Sequence, residues 1–188
     1  MTSTYAQRFQ AALDRTERFG LATPAVHPVT QRYLTEQATP ALYEVLKEQM
    51  AGLGPEHLVA RCIPIHRGLR PHVTSVLGCE ALLTLGHVET PEQTRFERSE
   101  AAYQANLDGT YLGDLNRLHA WLTLPSMEIL DLTFVTSMAA VNGWGSQYEG
   151  LPILSHADEL KDGLAYHPML VGPAFLAEVA VRHGVAML

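Results

Sequence analysis

Two short apolar runs, Leu118 to Leu124 and Glu128 to Thr133, flank Pro125-Ser126-Met127 and constrain this chain more than any other stretch. Both have strand composition, and the residues between them suit a tight turn, so the spacing predicts a β-hairpin. With the turn centred near Ser126, His119 falls opposite residue 132 or 133 and Asp131 about one position away. A slip or bulge of one residue is then expected to bring Asp131 onto the face of His119, because side chains alternate along a strand. A carboxylate in that place accepts the Nδ1 proton of the imidazole, leaving Nε2 to take a proton from a thiol. The plain alternative is a solvent-facing strand histidine and an aspartate that ends a strand.

The same residues carry a resemblance. His119-Ala-Trp-Leu, followed by Ile129-Leu-Asp131-Leu-Thr133, resembles the His-Ala-Trp and Asp-x-Thr elements of papain-like and transglutaminase-like cysteine enzymes of bacteria. Upstream, Val76-Leu77-Gly78 and Leu83 to Glu89 are similar to the stretch where, in such proteins, the nucleophile helix ends and the first core strand carries a Gly-x-Val turn. The similarity spans about residues 60 to 135. It implies a papain-like α+β fold, with a nucleophile helix packed on a central antiparallel sheet, and a Cys-His-Asp triad.

The chain offers two cysteines, Cys62 and Cys79. The resemblance implies a nucleophile at the N-terminus of the helix before the first strand, where free backbone N–H groups and the helix dipole favour a thiolate and form an oxyanion hole. Cys62 suits that position. Pro64 then falls in the first turn, which needs no intrahelical donor, whereas Pro71 is expected to kink or end the helix, with Thr74 to Leu77 as its continuation. Cys79 opens Glu80 to Gly86, which reads as a buried strand, and a cysteine there is commonly a small core residue. Gln49 lies upstream within reach of the cysteine helix as an oxyanion donor, but reads first as a helix-surface residue.

Cys62, His66, His72 and Cys79 also form Cys-x3-His-x5-His-x6-Cys, a set of side chains that zinc prefers. Structural zinc sites use short paired spacings such as Cys-x2-Cys, and none is present, so no metal or cofactor is expected. His27, His57, His87, His156, His167 and His183 read as surface or satisfied core positions. Nine histidines make the net charge sensitive to pH between about 5 and 7.

A chain of 188 residues, 47% apolar, can bury one full core. The expectation is a single domain over 1–188, with an N-terminal helical region over 1–55 and a catalytic core over 56–188. A net charge of −7, with Lys47 and Lys161 the only lysines and no basic cluster, argues against nucleic acid or an anionic membrane as partner. No apolar run reaches the roughly 18 residues that a membrane span needs. Unpaired cysteines and the lack of a basic-then-apolar leader fit a reducing cytoplasm, although a protein exported without a cleaved signal has the same profile.

Along the chain, Tyr5, Phe9, Ala12, Leu13 and Thr16 predict an amphipathic helix over Thr4 to Phe19, ended by Gly20. Val29 to Gln37 is read as a short helix. Thr39-Pro40 reads as a cap and first helical residue of a helix that stops near Gly52, with Leu42, Val45, Leu46 and Met50 as its apolar stripe. Pro91 and the charged residues after it suggest a helix to about Leu107, then a turn at Asp108-Gly109. This polar segment, 90–113, reads as a solvated insertion or as a substrate-facing lid. Phe134 to Val141 precedes a turn at Asn142-Gly-Trp-Gly145, Leu151 to Leu154 and Leu164 to Val171 suggest strands, and Pro173 to His183 a closing helix.

These features lead to the expectation of a cysteine hydrolase or acyltransferase acting on an amide bond in a peptide or protein. Cys62 is the expected nucleophile, His119 the base and Asp131 the orienting group. The rival from another class is a catalytically silent protein of the same fold, serving as an interaction or immunity-type protein.

Overall fold

Helix α1 (Tyr5–Arg18) begins at a capping box, in which Thr4 Oγ1 accepts the Gln7 N–H at 3.3 Å and Gln7 Oε1 accepts the Thr4 N–H at 2.9 Å. The structure is a computed structural model describing residues 3–111, 113 and 115–184; residues 1, 2, 112, 114 and 185–188 of the predicted segments fall outside it. Tyr5, Phe9, Ala12 and Thr16 are buried at the predicted helical spacing. The short helix expected over Val29 to Gln37 does not form. Its donors are engaged elsewhere: Val29 N–H bonds the Pro125 carbonyl at 3.1 Å, and those of Tyr33 and Leu34 bond the Glu128 carboxylate at 2.8 and 3.1 Å.

Helix α2 (Ala38–Gln49) starts before the expected Thr39 cap. Thr35 Oγ1 receives the Ala38 N–H at 3.2 Å, and Thr39 Oγ1 donates back to the Thr35 carbonyl at 2.7 Å instead of capping. Helix α3 (Cys62–Leu77) runs through Pro71 to Gly78 and does not end at the proline as expected. Buried Leu69 and Val73 flank it. Burial of about 1.5–3 kcal/mol for each offsets the roughly 3 kcal/mol of an interior proline.

Strand β1 (Leu82–Glu89) turns at Thr90 to Gln93 into β2 (Thr94–Arg95), so the helix expected from Pro91 is confined to α4 (Glu100–Leu107). Thr90 N–H bonds the Gln93 carbonyl at 3.0 Å, and Ser99 Oγ caps α4 by accepting the Ala102 N–H at 3.2 Å. The predicted hairpin is β3 (His119–Thr123) and β4 (Glu128–Asp131). Helix α5 (Phe134–Asn142), strands β5 (Ile153–His156) and β6 (Ala165–Val171) and helix α6 (Ala174–His183) follow, close to the expected positions.

Contacts gather these elements into two compact units, each assembled from separate stretches. The first takes in the described residues of Met1–Ala25, Thr84–His119 and Ala157–Leu188. In it β1 pairs antiparallel with β2 and β6, with a register shift between Leu85 and Gly86. Helix α1 packs on β6, where buried Thr16 Oγ1 accepts the Val171 N–H at 3.0 Å. Helix α4 packs on α6 through an edge-to-face contact of Tyr103 and Phe175 at 5.3 Å.

The second unit takes in Val26–Leu83 and Ala120–His156. Here α2 packs on α3, and β4 lies antiparallel between β3 and β5. Its core includes Leu42, Leu46, Leu69, Val73, Trp121 and Ile129. The chain is thus α+β with antiparallel strand pairs, and no helix among the described residues is long and apolar enough to cross a membrane.

Candidate functional site

The hairpin turn sets the geometry. Met127 N–H bonds the Leu124 carbonyl at 2.9 Å and Leu124 N–H bonds that of Glu128 at 2.8 Å, with Met127 left-handed at φ 63°. This is a three-residue loop of the kind that normally carries glycine in the last position. Leu122 faces Leu130 and Thr123 faces Ile129 in the resulting register; continued one pair further, it sets Trp121 opposite Asp131. Alternation turns His119, two residues before Trp121, to the same side of β3 as Trp121. The β3–β4 pairing, Leu122 with Leu130 and Thr123 with Ile129, contains no register shift of the kind expected.

Glu128 anchors the turn. Its buried carboxylate accepts Ser126 Oγ–H at 2.5 Å besides the Tyr33 and Leu34 N–H groups, and so ties the 30–35 loop to the hairpin. Its sequence signal was a lone carboxylate at the start of an apolar strand, two residues after a serine.

Asp131 is wholly buried, and one of its oxygens has a structural duty. Oδ1 accepts the Thr133 N–H at 2.9 Å, Thr133 Oγ1–H at 3.1 Å and the Phe134 N–H at 3.0 Å, which caps the start of α5. His66 Nε2 is 3.6 Å from the same oxygen. That approach is not a hydrogen bond, because Nε2 already accepts the Leu132 N–H at 3.0 Å. With Nε2 an acceptor, the proton resides on Nδ1, which donates to the Cys62 carbonyl at 2.7 Å. His66 is therefore a neutral strut between the first turn of α3 and the end of β4. Both its nitrogens are engaged, so it is not a zinc ligand with Cys62, His72 and Cys79. Among the described residues no group of three or more His, Cys, Asp and Glu side chains is arranged to hold a metal. The signal for His66 was its position one turn after Cys62 on one helix face.

Cys62 is the first residue of α3 and 8% exposed. Arg61 at the N-cap makes no side-chain cap, and the first helical bond runs from Ile65 N–H to the Arg61 carbonyl at 3.1 Å. The early N–H groups of the turn lack intrahelical carbonyl partners by construction. Pro64, lacking an N–H, fits this turn. Gln49 ends α2 on an exposed face and lines a cleft of about 200 Å³ with Pro64, Ile65 and Gly68 of α3. Cys79 lies outside any strand and is a core residue. Burial, reinforced by the charge of Glu128, pushes its thiol up to about 11.

His119 belongs to the first unit, whereas Cys62 and Asp131 belong to the second. It is buried, stacked on Phe96 at 4.8 Å and 16°, and tilted against Tyr166 at 6.5 Å. Phe96 is itself left-handed at φ 63°, an uncommon conformation for a bulky residue. Within the second unit, His66 links the backbone at Cys62 to the Asp131 end of β4. No protein-family model matches the chain, and no match is found among curated proteins or solved structures.

Proposed function

We propose that the chain is a cysteine hydrolase or acyltransferase of the papain-like or transglutaminase-like kind, acting on an amide bond in a peptide or protein. The observation that carries this reading is the hairpin register, Leu122 with Leu130 and Thr123 with Ile129, which continued by one pair sets Asp131 opposite Trp121 on the side of β3 to which His119 also turns. Cys62 at the start of α3 and the cleft beside Pro64 and Ile65 add a nucleophile position and room for a chain. In the proposed reaction His119 takes the Cys62 Sγ proton, and the thiolate attacks the amide carbon to give a tetrahedral intermediate. Backbone N–H groups of the first turn of α3 hold its oxyanion. The C–N bond then breaks, the amine leaves with the proton from the imidazolium, and a thioester remains. Water, deprotonated by His119, hydrolyses it to the acid; an amine gives transfer instead. Asp131 orients His119 through the carboxylate oxygen not used to cap α5. That neither Cys62 nor Cys79 is in a disulfide supports a reducing, cytoplasmic setting.

A silent interaction protein of the same fold draws support from the capping duty of Asp131 Oδ1, which explains that carboxylate without catalysis. Alkylation separates the two. Timed labelling with iodoacetamide, read by peptide mass, is expected to modify Cys62 at least about tenfold faster than Cys79. His119→Asn is expected to slow Cys62 alone. Equally slow labelling of both thiols in the folded protein overturns the enzyme reading.

A further inference from the structure

Helix α2 presents two faces to the second unit. Leu42 and Leu46 point into the core, as the apolar stripe predicted, but Tyr43, Leu46, Lys47 and Met50, at i, i+3, i+4 and i+7, form the wall of a cavity of about 370 Å³. Leu132 and Pro152 line it as well. The volume and the mainly apolar lining are those of a small-molecule pocket.

Its walls are fixed by hydrogen bonds. The Leu132 N–H is held by His66 Nε2 at 3.0 Å, and the Gly150 N–H by Thr136 Oγ1 at 2.8 Å. Pro152 directly precedes β5, whose Ile153 pairs with Asp131. Such a cavity binds without first ordering its lining.

Lys47 supplies the charge. It is one of two lysines in a chain of net charge −7, and it makes no ion pair among the described residues, although Glu44 and Glu48 lie on the same helix. A lone ammonium beside an apolar cavity complements a molecule with one anionic end and an apolar body. We propose that this cavity binds a small monocarboxylate with an apolar chain, its body against Leu46, Met50 and Leu132 and its carboxylate at Lys47 Nζ. The proposal does not depend on the triad reading, since neither Cys62 nor His119 lines the cavity.

Decanoate is the probe, titrated by calorimetry into the full chain, with decanol as the uncharged control. One saturable site is expected, weakening about fourfold for each methylene removed in the series to octanoate. Lys47→Gln is expected to weaken decanoate about tenfold and to leave decanol unchanged. Ala51→Trp, at an exposed residue of the cavity lining, is expected to abolish binding of both. Both positions are exposed, and circular dichroism of each variant verifies folding independently of binding. Absence of saturable decanoate binding overturns the proposal, as does decanoate binding indifferent to Lys47→Gln. Either result is also what a cavity built for a partner's apolar side chain would give. Loss of alkylation selectivity at Cys62 bears on the triad alone and leaves this titration unaffected.

Discussion

In the second unit Glu128, Asp131 and His66 are held by hydrogen bonds to backbone and hydroxyl groups, whereas in the first His87 and His119 lie nearly flat against other rings. Glu128 accepts three donors, Asp131 Oδ1 accepts three, and both nitrogens of His66 are engaged. Across the first unit, His87 stacks on His167 at 4.7 Å and 5°, His119 stacks on Phe96, and the Arg98 guanidinium lies 4.8 Å over the Tyr103 ring. Among the described residues His87 Nδ1 has no hydrogen-bond partner. A hydrogen-bonded framework fixes the protonation state together with the geometry. A stack fixes the plane of a ring and leaves its protonation to the surroundings.

The largest expected effect tests the framework. Glu128→Ala strands two backbone N–H groups and a hydroxyl, and is expected to destabilise the second unit by about 4 kcal/mol in urea denaturation. Glu128→Gln, which retains one acceptor oxygen, is expected to lose about half of that. A loss below about 1 kcal/mol for Glu128→Ala would remove the contrast between the units.

A smaller effect tests the stacks. Phe96→Ala removes the ring over His119 but keeps the left-handed backbone, whereas Phe96→Gly removes the ring and relieves the backbone. The glycine variant is expected to be about 0.5–1 kcal/mol more stable than the alanine variant, the reverse of their order in a helix. Equal stabilities would mean that Phe96 stores no strain.

The smallest concerns His87, whose pKa is lowered first by burial and then by the charge of His167, against the opposing pull of Glu97 and Glu89. As pH falls through the ordinary histidine value near 6.5, the unfolded chain takes up the proton before the folded one. Stability therefore declines from there and levels off below the lowered folded value. His87→Gln is expected to flatten that part of a stability-against-pH profile, and an unchanged slope would transfer the effect to another of the nine histidines.

What the sequence made legible was what local pattern decides. The face of α1, the 119–131 hairpin, β6 and α6 follow from period and turn chemistry, because their own residues supply caps and buried faces. The stretches read wrongly are those whose backbone donors are taken by distant groups. Val29 to Gln37 has helical composition, but Glu128, about ninety-five positions away in the chain, claims its N–H groups. Within the stretch from Pro91 to Ser99, Thr94 and Arg95 fold back as β2 because β1 offers them a ladder. At Pro71 the sequence left a kink or an end open, and nothing local announces the burial of Leu69 and Val73 around it. The places of Cys62 at the start of α3 and Asp131 at the end of β4 follow from the local pattern, but the strut between them does not. The position of His66 one turn after Cys62 gives its helix face, but its role is fixed only where the ends of α3 and β4 meet at its two nitrogens.

The capping of α5 by Asp131 also bears on descent. Selection for folding alone retains that carboxylate, so a lineage that lost the proposed activity would keep Asp131 all the same. Position 62 is under a different constraint, because the carbonyl that His66 requires there is supplied by any amino acid. In a set of related chains, and on the function proposed above, variation at position 62 with Asp131 unchanged would mark those that had exchanged catalysis for another role.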